Sequence, residues 1–324
     1  MRVATSTIAA LALAVSPVTA VAAPGALDPS FSGDGWTRTL EVRSASNNYL
    51  PEAALDVAIA PGERAMPVHV HGDEEELFYV LAGEGLSWQD GRTYRVGTGD
   101  CVLHLPGAEA HTIAGAGDGL DVLAYGSGSD TGVTWLPRAQ AWWLEPRWLP
   151  ADGADPFAAE AAAGPLELPD PQPERPATIL ALAGGERSER RHGDVASVRL
   201  DLGDVLGSVR IGVGHLVVEP GKLSYPPHCH SADEELFVVL AGTGTLELGD
   251  AQHPVRPGSV VARPPGTGVA HAFRAGEDGL RLLAFGTREP NDIAYYPRSG
   301  KVSLRGIHAM FHVERVGYWD GEPG

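Results

Sequence analysis

The 324-residue sequence predicts an all-β protein, built as two tandem copies of one domain packed on each other. Three observations carry this. The stretch PVHVHGDEEELFYVLAGEG (67–85) returns as PPHCHSADEELFVVLAGTG (226–244). His69, His71, Glu76 and Gly83 match His228, His230, Glu235 and Gly242 at an offset of 159 residues, and His111, Gly119, Gly126 and Arg138 match His271, Gly279, Gly286 and Arg298 at 160. A repeat that long is a domain, not a solenoid unit. Next, 41 Gly and 26 Pro are scattered between short apolar runs, the pattern of a hairpin-rich sheet. Finally, the run from Glu76 is apolar on both faces. Phe78, Val80 and Ala82 share the face of Glu76, while Leu77, Tyr79 and Leu81 occupy the other, and Leu236, Val238 and Leu240 repeat the pattern. Such a strand needs a second layer outside it, and the simplest is the other copy.

In chain order, residues 1–22 have one Arg, a small apolar run and Ala20-Val21-Ala22, which reads as a signal peptide with an A-x-A cleavage site. That predicts export and a mature chain beginning near Ala23; a start assigned too early would give a cytoplasmic protein. The first copy spans 36–148 and the second 178–320. Between them, the Pro/Ala/acidic stretch 149–177 reads as a linker, with a helical turn in AAEAAA. Within the copies, ALDVAIAPGE (54–63) and VGHLVVEPGK (213–222) are strands ending in Pro-Gly turns. SWQDGRTYRV (87–96) is a hairpin turning at Asp90-Gly91, and LELGDAQHPV (246–255) turns at Gly249-Asp250. WLPRAQA (135–141) and YYPRSGK (295–301) read as interdomain packing, with a pocket mouth as the alternative.

Composition removes several function classes. A net charge of −18 repels nucleic acid and anionic membranes, leaving a small-molecule substrate as the expected partner, with a homo-oligomer compatible. No segment beyond the leader is long and apolar enough to span a bilayer. Two cysteines, Cys101 and Cys229, make no disulfide framework or zinc knuckle and read as buried thiols.

The histidines carry the chemistry. In H-x-H on a strand both imidazoles share one face and aim at one point. Glu76 follows His71 by five positions and can reach the same pocket from the next strand; His111 arrives after turns at Gly99-Asp100 and Pro106-Gly107. The other histidines, His104, His192, His215, His253, His308 and His312, read as core or surface. The acidic runs Asp73–Glu75 and Asp233-Glu234 read as solvated turns. Arg263, two residues before Pro265, is a candidate substrate contact.

His69-x-His71-x4-Glu76-x6-Gly83 with Gly99…Pro106…His111, repeated as His228-x-His230-x4-Glu235-x6-Gly242 with Gly258…Pro265…His271, resembles the two signature motifs of the cupin superfamily. The second motif departs from the family pattern, with six residues between its Gly and Pro, not five, and a Gly directly after the Pro. The resemblance covers nearly the whole chain beyond the leader. It implies two double-stranded β-helix (jelly-roll) barrels, each binding one divalent metal through His69, His71, Glu76 and His111, or through His228, His230, Glu235 and His271. Three imidazoles and a carboxylate suit Fe or Mn first, then Ni, Co or Zn. Bicupins include dioxygenases, oxalate decarboxylases and aminohydrolases. The expectation is a metalloenzyme acting on a small hydroxy acid, keto acid, enediol or sugar-like substrate. A dioxygenase-type oxidoreductase leads, with an isomerase or lyase, or a non-catalytic binding protein, as alternatives. The carboxyl-terminal copy is expected to be the main active site.

Overall fold

The structure is a computed structural model that describes residues 57–127, 132–144, 159–160 and 162–323, plus the backbone of residues 21–22, 39–41, 54–56 and 147–149. Of the expected leader, residues 1–20 lie outside the described residues. Among the described residues no helix is long and apolar enough to cross a membrane.

The first eleven strands are β1 (Val21–Ala22), β2 (Thr39–Glu41), β3 (Ala54–Ile59), β4 (Val70–His71), β5 (Glu76–Gln89), β6 (Arg92–Gly97), β7 (Asp100–His104), β8 (His111–Gly126), β9 (Val133–Leu136), β10 (Ala141–Leu144) and β11 (Arg147–Leu149). Twelve follow: β12 (Ile179–Ala181), β13 (Ser188–His192), β14 (Val195–Asp201), β15 (Ile211–Val218), β16 (Cys229–His230), β17 (Glu235–Leu248), β18 (Ala251–Val255), β19 (Val260–Arg263), β20 (His271–Thr287), β21 (Ile293–Tyr296), β22 (Lys301–Leu304) and β23 (Ala309–His312). Each copy is a jelly roll of two sheets, not a closed barrel. The first has β12-β7-β5-β8-β3-β2, with β6 on β5, and a small sheet β11-β10-β9-β4. The second has β1-β19-β17-β20-β15-β14-β13, with β18 on β17, and β16-β21-β22-β23.

Glycine sets the course of the long strands. β5 shifts register on β8 between Val80 and Ala82 and again between Gly83 and Glu84, and β17 does the same on β20. Gly83 has φ +82°, and a Cβ there would lie 2.1 Å from the Gly119 carbonyl oxygen; Gly242 (φ +79°) would meet Gly279 at 2.2 Å. Both glycine pairs therefore recur because two backbones pass too close for any side chain. Asp90 and Gly91 both take positive φ, as a tight hairpin turn requires.

The predicted two-faced strand is found. Phe78 and Val80 pack inward with Val57, Ile59, Ile113 and Val122. Leu77 and Tyr79 pack outward, in one cluster with Leu236, Val238, Leu283 and Phe285 of the other copy. Tyr125 stacks on Phe285 across that interface at 4.3 Å. Each large side chain buried this way contributes about 1.5–3 kcal/mol.

Two sequence readings are corrected, and the linker gains contacts. The acidic runs are not solvated. Glu75 is wholly buried, and its carboxylate accepts hydrogen bonds from Ser208 Oγ and from the backbone N–H groups of Val209 (2.9 Å), Arg210 (3.1 Å) and Ile211 (3.2 Å) of the second copy. A cradle of successive N–H groups holds an anion well. Asp233 is buried between the Glu289 N–H (2.9 Å) and the Arg305 guanidinium, and Glu234 is buried beside it. Nor are the Pro-Arg pairs interdomain: Arg138 engages Glu160 (3.4 Å) and the Gly164 carbonyl, and Arg298 engages Glu247 (2.9 Å) within the second copy. Finally, the described part of the linker is strapped to the first copy. Arg64 holds Glu160 at 3.0 Å, Gln172 N–H donates to the Thr93 carbonyl (2.8 Å), and Arg175 forks onto Asp100 (3.0 and 2.8 Å). The expected helical turn is present as an Ala163-to-Ala159 hydrogen bond of 3.1 Å.

Glu75→Ala should destabilise the protein by about 3 kcal/mol, since it strands buried backbone donors that bonded a charge; Glu75→Gln, which keeps one acceptor oxygen, should lose less. Urea unfolding checks this, and a change in Glu75→Ala no larger than that of an exposed Glu→Ala control would contradict it.

Candidate metal centres

The ligand geometry grows from one bridge per copy. His69 N–H donates to His111 O at 3.1 Å and receives the reciprocal bond at 2.9 Å. His228 and His271 do the same at 3.2 and 2.8 Å. The bridge ties the H-x-H segment to the start of β8 or β20, where the third histidine sits. Glu76 and Glu235 open β5 and β17, the strands hydrogen-bonded to β8 and β20.

In the first copy the four side chains converge. Donor atoms of His69, His71, Glu76 and His111 all lie within 4.8 Å of one another. Glu76 Oε2 stands 3.4, 3.8 and 3.0 Å from the Nε2 atoms of His69, His71 and His111. The Nδ1 atoms face outward, to Pro67 O (2.8 Å), Thr134 Oγ1 (3.2 Å) and Glu109 O (3.0 Å). In the second copy His228, His230 and Glu235 form such a group. Glu235 Oε2 lies 3.6 Å from His230 Nε2 and 3.1 Å from His271 Nε2. His228 Nδ1 faces Pro226 O (2.9 Å), and His230 Nδ1 faces Asp292 Oδ2 (2.6 Å).

The electrostatics fit a cation. Burial and the neighbouring imidazoles push His111 down to about 4, and burial brings His71 and His228 to the same value against the pull of their glutamates. Burial alone would raise Glu76 and Glu235, but the imidazoles around them hold both well below the usual carboxylate range. His69 and His230 are also desolvated, yet Glu76 and Asp292 respectively raise them. A neutral His111 has one proton for two acceptors, Glu109 O and Glu76 Oε2. A cation between Nε2 and the carboxylate removes that mismatch. His230 Nε2 is buried with no hydrogen-bond partner among the described residues, the orphan a metal bond would satisfy. Imidazoles oriented through Nδ1, with Nε2 facing a carboxylate, are the arrangement of metal-ligating histidines.

Other residues at the centres were not read from the sequence. His104, read as core or surface, is stacked parallel on His111 at 3.8 Å and bonds Glu109 at 2.7 Å. Tyr296 stacks on His228 at 5.3 Å, so YYPRSGK contributes to the cavity wall. Asp292 orients His230 and accepts from the N–H groups of Ser231, Ala232 and Asp233 (3.0–3.2 Å). At the 160-residue offset the first copy has Gly132 there, so the repeat's own asymmetry was the available signal. Arg263 lies opposite Glu235 in the sheet; it is buried, its Nη2 donates to Val269 O (2.6 Å) and Thr267 Oγ1 (3.2 Å), and it is not among the residues lining the cavity. Cys101 and Cys229 are buried free thiols, as expected.

The two cavities differ. The second copy's ligands open into about 780 Å³, walled by Phe237, Phe273, Tyr225, Tyr296 and several arginines, and reached by His308. The first opens into about 280 Å³ lined by Met66, Pro67, Leu136 and Trp143.

Comparison with known proteins agrees with this architecture. A family model described as "Cupin domain" matches residues 55–125 and again 214–285. Among solved structures, a deletion mutant of oxalate decarboxylase from Bacillus subtilis is 18% identical, covering 77% of this chain and 72% of its own, with a TM-score of 0.52. The coconut allergen cocosin is 14% identical over 80% of this chain and 87% of its own, with a TM-score of 0.53. A putative sugar phosphate isomerase from Acidithiobacillus ferrooxidans is 30% identical, covering 42% of this chain and 91% of its own, with a TM-score of 0.39. No curated protein matches the sequence.

The centres should load independently. Metal analysis of the His69→Ala/Glu76→Ala protein should lose one equivalent per chain and keep the other; loss of both from a folded protein would contradict it. Asp292→Asn should weaken metal binding at the second centre by about 10–100-fold and leave the first unchanged. Competition with a chromophoric chelator reads both affinities.

Proposed function

Because the chain belongs to the cupin family, as two joined copies of its domain, we propose that it is a divalent-metal-dependent enzyme working mainly in its carboxyl-terminal copy on a small oxygen-rich substrate. The observation that carries this is the unequal room around two similar ligand sets: about 780 Å³ in the second copy against about 280 Å³ in the first. His228, His230, Glu235 and His271 would hold the working metal; His69, His71, Glu76 and His111 would hold its counterpart. Fe or Mn fits this nitrogen-rich donor set best, with Ni, Co and Zn behind. When bound, the metal supplies Lewis-acid polarisation of substrate oxygens and, for Fe or Mn, access to dioxygen chemistry.

The chain's own residues supply the rest. Phe237 and Phe273 give the cavity a dry floor, which strengthens every polar contact made above it. Tyr296 holds the His228 ring by stacking, and Asp292 holds His230. A hydroxy acid or keto acid presents adjacent oxygens suited to such a centre. A dioxygenase-type oxidoreductase is the leading reading, and an isomerase or lyase of the same fold is the second.

Protein purified without added metal should carry Fe or Mn by elemental analysis. With a panel of hydroxy and keto acids, an oxygen electrode separates the readings: turnover with oxygen uptake supports the oxidoreductase, and turnover without it supports the isomerase or lyase. His228→Ala should lower turnover by about 100-fold or more, while His69→Ala should have the smaller effect. Equal losses, or a larger loss in His69→Ala, would overturn the assignment to the second copy.

A further inference from the structure

We propose that Arg190, Arg199 and Tyr225 form a clamp for a second anionic group of the substrate, a carboxylate or a phosphate monoester, beside the carboxyl-terminal centre. The inference rests on the reading of that cavity as the working site. Arg190 on β13 pairs opposite Ser197, and Arg199 on β14 pairs opposite Ser188, so the two arginines leave the same face of one hairpin. Their Nη1 atoms both donate to Tyr225 Oη, each at 3.3 Å. Arg190 also lies over the Tyr225 ring at 5.1 Å. Tyr225 in turn stands edge-on to the ligand His228, with ring centroids 6.2 Å apart. All four residues line the same cavity.

The charge balance singles out this pair. Of the other cavity arginines, Arg288 is matched by Asp204 and Arg305 by Asp233. Next door on β13, Arg191 is taken by Glu219 and Glu189. Arg199 has Asp201 on its Nε at 2.5 Å, but Arg190 has no carboxylate partner among the described residues. Two guanidiniums thus share one carboxylate at the wall of a cavity, in a chain whose net charge is −18. A phenol oxygen uses few of their ten N–H donors. Guanidinium forks match carboxylate and phosphate oxygens geometrically, and a pair of them is a strong site for either. No arginine lines the first copy's cavity among the described residues, so the clamp marks the second copy. A substrate held at both ends would place its chelating oxygens at His228, His230, Glu235 and His271 and its far anionic group past the His228 ring.

The test uses folded, metal-free full-length protein, so that the anions report on the clamp and not on a metal. Calorimetric titration with succinate and, separately, with inorganic phosphate should detect binding of at least one. Arg190→Gln and Arg199→Gln should each weaken that binding by about tenfold or more, with metal content after reloading unchanged. Arg190 is exposed on its strand, so Arg190→Gln is the variant expected to fold as wild type does, checked by its thermal melt. Tighter phosphate binding would assign a phosphate monoester, and tighter succinate binding a second carboxylate. Neither anion binding to the wild type, or unchanged affinity in Arg190→Gln, would overturn the clamp. That failure would leave the enzyme reading standing if His228→Ala still abolished turnover; loss of the enzyme reading would show instead as clamp binding without turnover.

Discussion

Both centres depend on a two-bond contact between backbones. His69 with His111, and His228 with His271, exchange their amide hydrogens with each other's carbonyls in a single antiparallel pair. That pair brings the H-x-H segment beside the start of the strand that carries the third histidine; in the first copy His69, His71, Glu76 and His111 converge there, and in the second His228, His230 and Glu235 do, with His271 beside Glu235 at 3.1 Å. Desolvation disfavours the charged forms of His71, His111 and His228, Glu76 and Asp292 raise His69 and His230, and the converging histidines hold Glu76 and Glu235 below the usual carboxylate range. The glycine crossings at Gly83–Gly119 and Gly242–Gly279 then bend the long strands so that their ends reach the bridge.

From that shared base the copies diverge in their surroundings. The first presses His104 flat against His111 and closes its pocket with Trp143 and Leu136. The second replaces His104 by Arg263, gives His230 a carboxylate partner in Asp292, and opens a wall to arginines and tyrosines. Asp292 stands 2.6 Å from His230 Nδ1, whereas His71 Nδ1 has Thr134 Oγ1 at 3.2 Å and the Glu74 carboxylate farther off at 3.6 Å; the closer carboxylate makes its histidine the stronger donor. The two centres therefore present the same types of candidate ligand in different surroundings.

The two-domain fold and the convergence of His69, His71, Glu76 and His111, and of His228, His230 and Glu235, were legible because they are local patterns: i and i+2 on a strand, a carboxylate five residues on, alternation on both faces of β5. The residues around them were not. Arg190 lies in SERRH, whose residues are all exposed, 38 residues before the ligand His228, and nothing in that stretch points to a hairpin folded over the site. Asp292 shows in the sequence only as a position where the repeat fails to repeat. The acidic runs were misread because the burial of Glu75 is decided by Ser208–Ile211, more than a hundred residues away. Arg263 was selected for its nearness to a motif, and its Nη2 donates to Thr267 Oγ1 and Val269 O in the turn that follows.

The placement of β12 has a consequence for dividing the chain. β12 follows the linker yet bonds to β7 in the first sheet, Ile179 opposite Val102. The edge of the first copy's sheet is therefore finished by a strand that leads into the second copy, whereas Val21, opposite Val261 in the second sheet, belongs to the expected leader. A chain cut before Ile179 would leave the first copy with a bare sheet edge at β7 and both copies with an uncovered apolar face, so the two halves are not separable at the linker's end without loss to each.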